Sequence, residues 1–209
     1  MTLRVLSGLT LLAGVLMLAA VLVVLGDGSP FAEARHLRLM KQRTTRPEHV
    51  EPITPAGFLA LPHAAPLAQR ARIESRGVSI EGWNQRLMLA QDGDVHLEIT
   101  AAPRRPDSRD TAYVTAEITP AWRSGHPGWS YEALDALFRP NGGGTTAWDA
   151  GPRRVRVTGW LLYDYQYDKR VNPDTLGRFS TRLSGWEVHP VTRIEAWDDA
   201  RAAWVEVPR

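Results

Sequence analysis

A stretch of uncharged, apolar sequence lies close to the N-terminus of this chain. Between Arg4 and Asp27, residues 5–25 carry no charge and are rich in Leu, Val and Ala. A helix of this length spans about 30 Å, the thickness of the hydrocarbon core of a bilayer. The sequence therefore predicts a membrane partner for residues 5–25, with residues 1–26 acting as a signal anchor or a signal peptide.

The tripeptide Ala32-Glu33-Ala34 leaves the fate of this segment open. It has the small-x-small form of a signal-peptidase site, which would allow cleavage after Ala34. The apolar run is longer than the core of a signal peptide, usually about 7–15 residues, and this favours a retained anchor.

The orientation of the segment rests on two opposing signals. Taken alone, the positive-inside rule would hold the rest of the chain in the cytosol, because five basic residues follow the segment: Arg35, Arg38, Lys41, Arg43 and Arg46. The very short tail before it has the layout of an export signal. We expect the remainder of the chain to lie outside the cytoplasm, in the periplasm or outside the cell.

Charge is unevenly distributed along the chain. Residues 1–76 hold nine Lys/Arg and five Asp/Glu, whereas residues 77–209 hold sixteen basic and eighteen acidic residues. Because non-specific nucleic-acid binding depends on Lys and Arg, the near-neutral second part argues against a nucleic-acid partner. The absence of cysteine excludes disulfides and Cys-ligated zinc.

Residues 27–76 read as a proline-rich, extended tether with a short helical piece around residues 67–74. Their prolines are Pro30, Pro47, Pro52, Pro55, Pro62 and Pro66. All eight tryptophans come later, which marks residues 77–209 as one domain.

Alternating apolar residues predict a mainly β domain. The predicted strands are 78–83, 86–90, 95–101, 112–119, 155–164, 186–197 and 203–207, with a hairpin at Gln91-Asp92-Gly93. Ser130 caps one predicted short helix that ends at Phe138. An OB-like barrel is the best match to this pattern, and a β-sandwich is the main competitor. The predicted core includes Ile80, Leu97, Ile99, Ile118, Leu137, Val157 and Val188.

Four tracts carry a resemblance to a known group of proteins. They are Gly93-Asp94-Val95-His96-Leu97-Glu98, Ala116-Glu117-Ile118-Thr119-Pro120, the run from Val157 to Asp164, and Trp186-Glu187-Val188-His189-Pro190-Val191-Thr192. Residues 77–197 resemble a family of uncharacterised bacterial exported domains with a Trp-Glu-x-His-Pro-Val-Thr signature. The resemblance implies an OB-like barrel and export, without an established activity. Tyr165-Gln166-Tyr167 stands where that family often has a histidine, so no role of that histidine carries over.

Strand parity places a set of polar side chains on one face of the predicted barrel. Residues two apart in a strand share a face, so the candidate polar face comprises Asp94, His96, Glu98, Glu117, Glu187 and His189. Imidazoles and carboxylates together suit a divalent metal or acid/base catalysis, although the sequence identifies no cofactor. A solvated sheet face and a structural His–Glu network are the alternatives.

Three tryptophans in loop-rich sequence, Trp122, Trp129 and Trp148, are candidates for stacking on a ligand, with partial burial as the alternative. Two functions follow from these features. The first is a binding module at the membrane, for an unknown ligand or an envelope protein. The second is a hydrolase, in particular a metal-assisted phosphodiesterase, that uses the His/carboxylate face.

Overall fold

The computed structural model describes residues 29–103, 113–138, 152–168 and 184–208. The predicted membrane segment, residues 5–25, lies outside these ranges. Within them, no helix combines the length and apolarity that crossing a bilayer requires. The helices are α1 (Pro30–Lys41), α2 (Pro55–Leu59), α3 (Leu67–Glu74), α4 (Pro120–Arg123) and α5 (Tyr131–Phe138). The strands are β1 (Val50–Ile53), β2 (Gly77–Leu89), β3 (Val95–Thr100), β4 (Tyr113–Ile118), β5 (Arg153–Tyr163), β6 (Trp186–Asp198) and β7 (Ala203–Glu206).

Five strands close into a barrel in the order β2-β3-β4-β6-β5, with β5 pairing back onto β2. The contact between β4 and β6 is parallel, and the other contacts around the barrel are antiparallel. This order, with helices between β4 and β5, is consistent with an OB-like barrel. The two strands predicted before the first hairpin are one strand, β2, whose register shifts between Asn84 and Arg86. That irregularity lets β2 pair with β5 through its first part and with β3 through its last.

The interior of the barrel is filled by apolar side chains. Six of the seven predicted core residues are fully buried: Ile80, Leu97, Ile99, Ile118, Val157 and Val188. The seventh, Leu137, is only partly buried on α5, whereas Leu134 and Phe138 of the same helix are fully buried. The face of α5 that packs on the barrel is therefore centred on Leu134 and Phe138, with Leu137 at its edge.

The region predicted as an extended tether is folded against the barrel, and that interpretation is corrected here. Ser29 and Thr54 accept hydrogen bonds from the first turns of α1 and α2, and a proline follows each of them at the first helical position. Both pairs are strong helix-start signals, which outweigh the prolines elsewhere in the segment. Strand β1 pairs in parallel with the start of β2, and α3 forms where the sequence predicts it.

Tryptophan indoles attach this N-terminal segment to the barrel. Trp122, Trp160 and Trp186 donate through Nε1 to the carbonyl oxygens of Arg43, Thr45 and Pro62, at 3.0, 2.7 and 2.8 Å. Buried polar groups add to this attachment: Glu74 of α3 pairs with His36 of α1 and accepts the backbone N–H of Tyr163. Each of these three indole N–H groups thus finds a partner far away in sequence.

Truncation of a leucine in the barrel interior is expected to destabilise the protein strongly. Leu97 is fully buried, so Leu97→Ala should lower the free energy of unfolding by about 2–5 kcal/mol in urea melts of the detergent-solubilised chain. The matched control is Leu89→Ala, because Leu89 lies on β2 with 48% of its surface exposed. That change should stay within about 0.5 kcal/mol of the wild type. Equal effects of the two substitutions would contradict the assignment of the core.

Candidate functional site

The outer face of β3, β4 and β6 carries five of the predicted site residues. The pairing of His96 with Glu117, and of Thr115 with Glu187, sets these strands side by side in register. Their apolar neighbours point into the barrel, so the polar residues point away from its interior. The residues are His96, Glu98, Glu117, Glu187 and His189, while Asp94 lies in the turn just before β3.

Most of this face is buried, which differs from the solvated sheet face that strand parity alone would give. Glu98, Glu117, Glu187, His189 and Asp94 are all buried, and every residue of β4 is buried. Helix α1 packs against β5 and β6, and the turn at Tyr165–Tyr167 adds polar groups at the edge of the face. The face is therefore a covered polar layer between the barrel and the N-terminal segment.

His189 lies at the centre of this layer between two carboxylates. Its Nδ1 is 2.9 Å from Glu117 Oε2 and 3.3 Å from Glu187 Oε1. Burial alone lowers the pKa of His189, but hydrogen bonds and charges from both glutamates outweigh it and raise the pKa to about 10. The other ring nitrogen, Nε2, is buried and finds no hydrogen-bond partner within the described ranges.

Asp94 and His96 approach Glu117 from β3. One ligand atom each from Asp94, Glu117 and His189 lies within 4.8 Å of the other two. Burial, followed by the negative charges of Glu117 and Asp92, raises the pKa of Asp94 to about 6. His96 Nε2 is 3.3 Å from Glu117 Oε1, and its side chain is 13% exposed. Asp94, His96, Glu117 and His189 therefore form one connected group.

Lys41, at the end of α1, supplies a positive charge to the same layer. Its Nζ is 2.7 Å from Asp164 Oδ2. Burial lowers the pKa of Lys41, but the charges of Glu187, Asp164 and Glu117 outweigh this and hold it above its usual value. The sequence placed Lys41 only in a basic run after the membrane segment, because its acidic partners come more than seventy residues later.

A cleft of about 680 Å³ opens beside this layer. Lys41, Arg86, His96, Glu98, Tyr113, Glu117 and Gln166 are among the side chains that line it. Glu98 has its own partners, because Thr115 Oγ1 donates to it at 2.9 Å and Arg86 lies 3.4 Å away. His96 and Glu117 belong both to the cleft and to the buried group, and so connect the two.

A second buried polar group was missed by the sequence reading. Asp168 accepts a hydrogen bond from the Tyr163 hydroxyl at 2.7 Å and pairs with His63. Asp164 and Asp168 stand in polar sequence just after β5, yet both are fully buried. His63 lies in the segment read as a tether, so no local pattern could link it to Asp168.

The tryptophans expected to stack on a ligand are structural where the structure describes them. Trp129 is fully buried and Trp122 is 8% exposed. Trp129 Nε1 donates to the carbonyl oxygen of Val207 at 3.3 Å, and Trp122 donates to Arg43. The alternative of burial therefore holds for these two, and it is more complete than the sequence indicated. Trp148 lies outside the described residues.

Comparisons with known proteins give little that bears on this site. No family model and no curated protein sequence matches the chain. Two structures of the asparaginyl-tRNA synthetase of Entamoeba histolytica, one in complex with asparaginyl-adenylate, align with 71% of this chain and 24% of the synthetase. The identities are 14% and 16%, and the TM-scores are 0.36 and 0.35. Likeness at this level does not establish a shared fold, so the OB-like description rests on the strand order.

The charge on His189 should make the stability of the protein depend on pH. Its pKa of about 10 in the folded chain exceeds the usual 6.5, so its contribution is complete below pH 6.5 and is lost as the pH rises through 10. We expect the free energy of unfolding of the EDTA-treated chain to fall between these values. His189→Gln should flatten that fall relative to the wild type. Identical pH profiles for the two proteins would show that His189 is not charged in the folded state.

Proposed function

We propose that this protein is a membrane-held, extracytoplasmic binding module of the OB-like type, and that it binds a cationic ligand on the polar outer face of its barrel. The observation that carries the proposal is the concentration of buried carboxylates around His189, next to an open cleft. Carboxylates grouped beside a cleft favour positively charged occupants of that cleft, because opposite charges attract strongly where water is partly excluded.

The ligand is expected on the outside of the barrel because the inside is filled. Fully buried aliphatic side chains from β2 to β6 occupy the interior, including Leu97, Val114 and Leu161. OB-like barrels in general bind ligands on an outer strand face, and β3 and β4 are the second and third barrel strands here. The cleft beside His96 and Glu117 lies on these strands.

The balance of charge in and around the cleft supports a cation over an anion. Among the described residues, six carboxylates belong to the layer and the cleft: Asp92, Asp94, Glu98, Glu117, Asp164 and Glu187. The cationic groups described beside them are Lys41, Arg86 and the charged His189. Carboxylates that line a cleft repel phosphates, which agrees with the charge argument against a nucleic-acid partner.

The proposed membrane attachment rests on the uncharged length of residues 5–25. A retained anchor is preferred over cleavage because the Ala32-Glu33-Ala34 tripeptide lies in the first turns of α1, where Glu33 pairs with Arg70. Lys41 pairs with Asp164, and Arg43 donates to the carbonyl oxygen of Glu74 at 2.9 Å. Because Lys41 and Arg43 both have partners in the fold, they carry less weight as topology signals that would place the barrel in the cytosol.

A hydrolase, in particular a metal-assisted phosphodiesterase, is the second candidate. The observation in its favour is the partly exposed imidazole of His96, 3.3 Å from a Glu117 oxygen at the cleft. Such a pair can transfer a proton to or from a bound substrate. Hydrolysis of bis(p-nitrophenyl) phosphate that is lost in His96→Ala would favour this candidate, and the binding module predicts no turnover.

A cationic probe should stabilise the protein and an anionic probe should not. We expect spermidine to raise the melting temperature of the full chain in detergent, whereas citrate and a short oligothymidine leave it unchanged. Glu98→Gln, which removes one cleft carboxylate, should weaken the spermidine effect. Glu132→Gln, an exposed site in α5, is the control and should not. Stabilisation by the anions and not by spermidine would contradict the proposal.

The orientation of the protein can be tested through its lack of cysteine. Asp199→Cys introduces a single thiol at an exposed position in the turn between β6 and β7. If the barrel lies outside the cytoplasm, a membrane-impermeant maleimide should label it in intact spheroplasts as fully as after lysis. Labelling that requires lysis would place the barrel in the cytosol, as the positive-inside rule does.

A further inference from the structure

We infer that the outward face of helix α1 lies on the surface of a phospholipid bilayer, where its apolar side chains enter the lipid and its arginines contact headgroup phosphates. The partner is the bilayer that residues 5–25 are proposed to enter. This inference rests on the proposed function, because it assumes that the chain is held at a membrane. It adds a second membrane contact, made by a folded part of the chain.

From Phe31 onward, the exposed residues of α1 and its C-terminal cap form one continuous stripe, the outward face. They are Phe31, Ala34, Arg35, Arg38, Leu39 and Gln42. Gaps of three positions and one position alternate along this set, which places all six on one side of an α-helix. The opposite side packs against β5 and β6, and its polar residues Glu33, His36 and Lys41 pair with other parts of the fold. The outward face is therefore the side of α1 that the described fold leaves uncovered.

Two residues of the outward face are large apolar side chains. Phe31 is 69% exposed and Leu39 is 53% exposed, which makes them the two most exposed large apolar residues in the described ranges. A surface helix normally turns such side chains toward the core of the protein. Their position on one exposed stripe points to an apolar partner outside the fold.

Arg35 and Arg38 add positive charge to the same stripe. Within the described ranges, neither guanidinium makes a hydrogen bond or an ion pair with another residue. Arg38 also lines a shallow cleft of about 390 Å³ with Lys41, Gln42, Tyr165 and Gln166, whose side chains are hydrogen-bond donors that suit a phosphate. Arginines beside large apolar side chains on one helix face are typical of helices that lie at a membrane interface.

The sequence brings the outward face close to a bilayer. Pro30, the first residue of α1, follows Leu25, the end of the uncharged segment, by five positions. A fully extended chain spans at most about 3.6 Å per residue, so α1 begins within about 18 Å of the end of that segment. The headgroup layer on one side of a bilayer is about 5–8 Å thick. The start of α1 is therefore held beside the headgroups by its covalent connection.

The spacing of Phe31 and Leu39 sets the angle of the helix. The two residues are eight positions apart, which is about 12 Å along a helix axis. A helix that pointed away from the bilayer would place Phe31 in lipid and Leu39 in water. For both to enter the lipid, α1 must lie parallel to the surface, with the bilayer on one side of it and β5 and β6 on the other.

Contact between two copies of the chain through the outward face is the competing account. A symmetric contact of this kind would set the arginines of one copy near those of the other. The outward face carries no carboxylate that could compensate Arg35 and Arg38. A phospholipid surface offers both the apolar phase and the negative phosphates.

Spin labels on the outward face test the inference directly, because the chain has no cysteine of its own. Ala34→Cys and Gln42→Cys, each carrying a nitroxide, are incorporated as the full chain into nanodiscs of equal parts phosphatidylcholine and phosphatidylglycerol. Oxygen concentrates in lipid, whereas a nickel chelate stays in water. We expect both labels to collide with oxygen more and with the chelate less than a label at Glu132→Cys. Glu132 is the control because it is exposed on α5, which packs on β2.

Substitutions on the outward face should change the signal of the Ala34 label. Phe31→Ser together with Leu39→Ser should bring its ratio of oxygen to nickel collisions down to that of the Glu132 label. Leu89→Ser together with Val205→Ser is the matched control, because these apolar residues are also exposed, at 48% and 41%, but lie on strands. That pair should leave the ratio unchanged. Circular dichroism shows whether each variant is folded.

The charge on the outward face has its own comparison. Arg38→Glu, which sets a negative charge against the phosphates, should also lower the collision ratio of the Ala34 label. Arg38→Lys keeps the positive charge and should preserve the ratio. Equal ratios for these two variants would contradict the contact with phosphates.

The remaining outcomes separate this inference from the proposed function. If the chain stays with the nanodisc and the Ala34 label collides with the chelate as freely as the Glu132 label, the inference is overturned and membrane attachment stands. An Ala34 label shielded from both oxygen and the chelate would show a protein contact and overturn the inference. A chain that does not stay with the nanodisc would overturn the membrane attachment and the inference together.

Discussion

The pairing of β5 with β2 closes the sheet into a barrel, and the other features of the molecule depend on this closure. A closed barrel of five strands has room inside only for its own side chains, which here are aliphatic and fully buried. The polar residues of β3 and β4 then face outward. His96, Glu117 and His189 lie together on the outside of the barrel because their strands are neighbours and the interior is already filled.

The N-terminal segment forms a second layer against the barrel, and this distinguishes the outer face from an ordinary solvated sheet surface. The N-terminal segment is attached through three tryptophan indoles, its helix α1 packs against β5 and β6, and Lys41 at the end of α1 lies beside the buried carboxylates of that face. Carboxylates buried in this way need counter-charges, and Lys41 and His189 are two that the described residues supply. The grouping of these carboxylates beside a cleft is the physical reason for proposing a positively charged ligand there.

Sequence periodicity was enough to predict the strands, the hairpin at Gln91-Asp92-Gly93 and the common face of the polar residues, because each depends on neighbours in the chain. It could not predict that the face is buried. That property depends on residues 29–76. The prediction of an extended tether gave weight to the prolines of this segment and none to the helix-start signals at Ser29-Pro30 and Thr54-Pro55. Trp122 was read as a stacking residue for a similar reason, since the carbonyl oxygen that binds its indole belongs to Arg43. Lys41 likewise pairs with Asp164, a residue far away in the sequence.

The central claim is that the charged layer outside the barrel and the cleft beside it bind a cation. Isothermal titration calorimetry of the full chain with spermidine, for the wild type and for Glu98→Gln, tests this claim most directly. The account predicts binding to the wild type that is weaker in Glu98→Gln. No binding of spermidine to the wild type, or equal affinity of the two proteins, would contradict it.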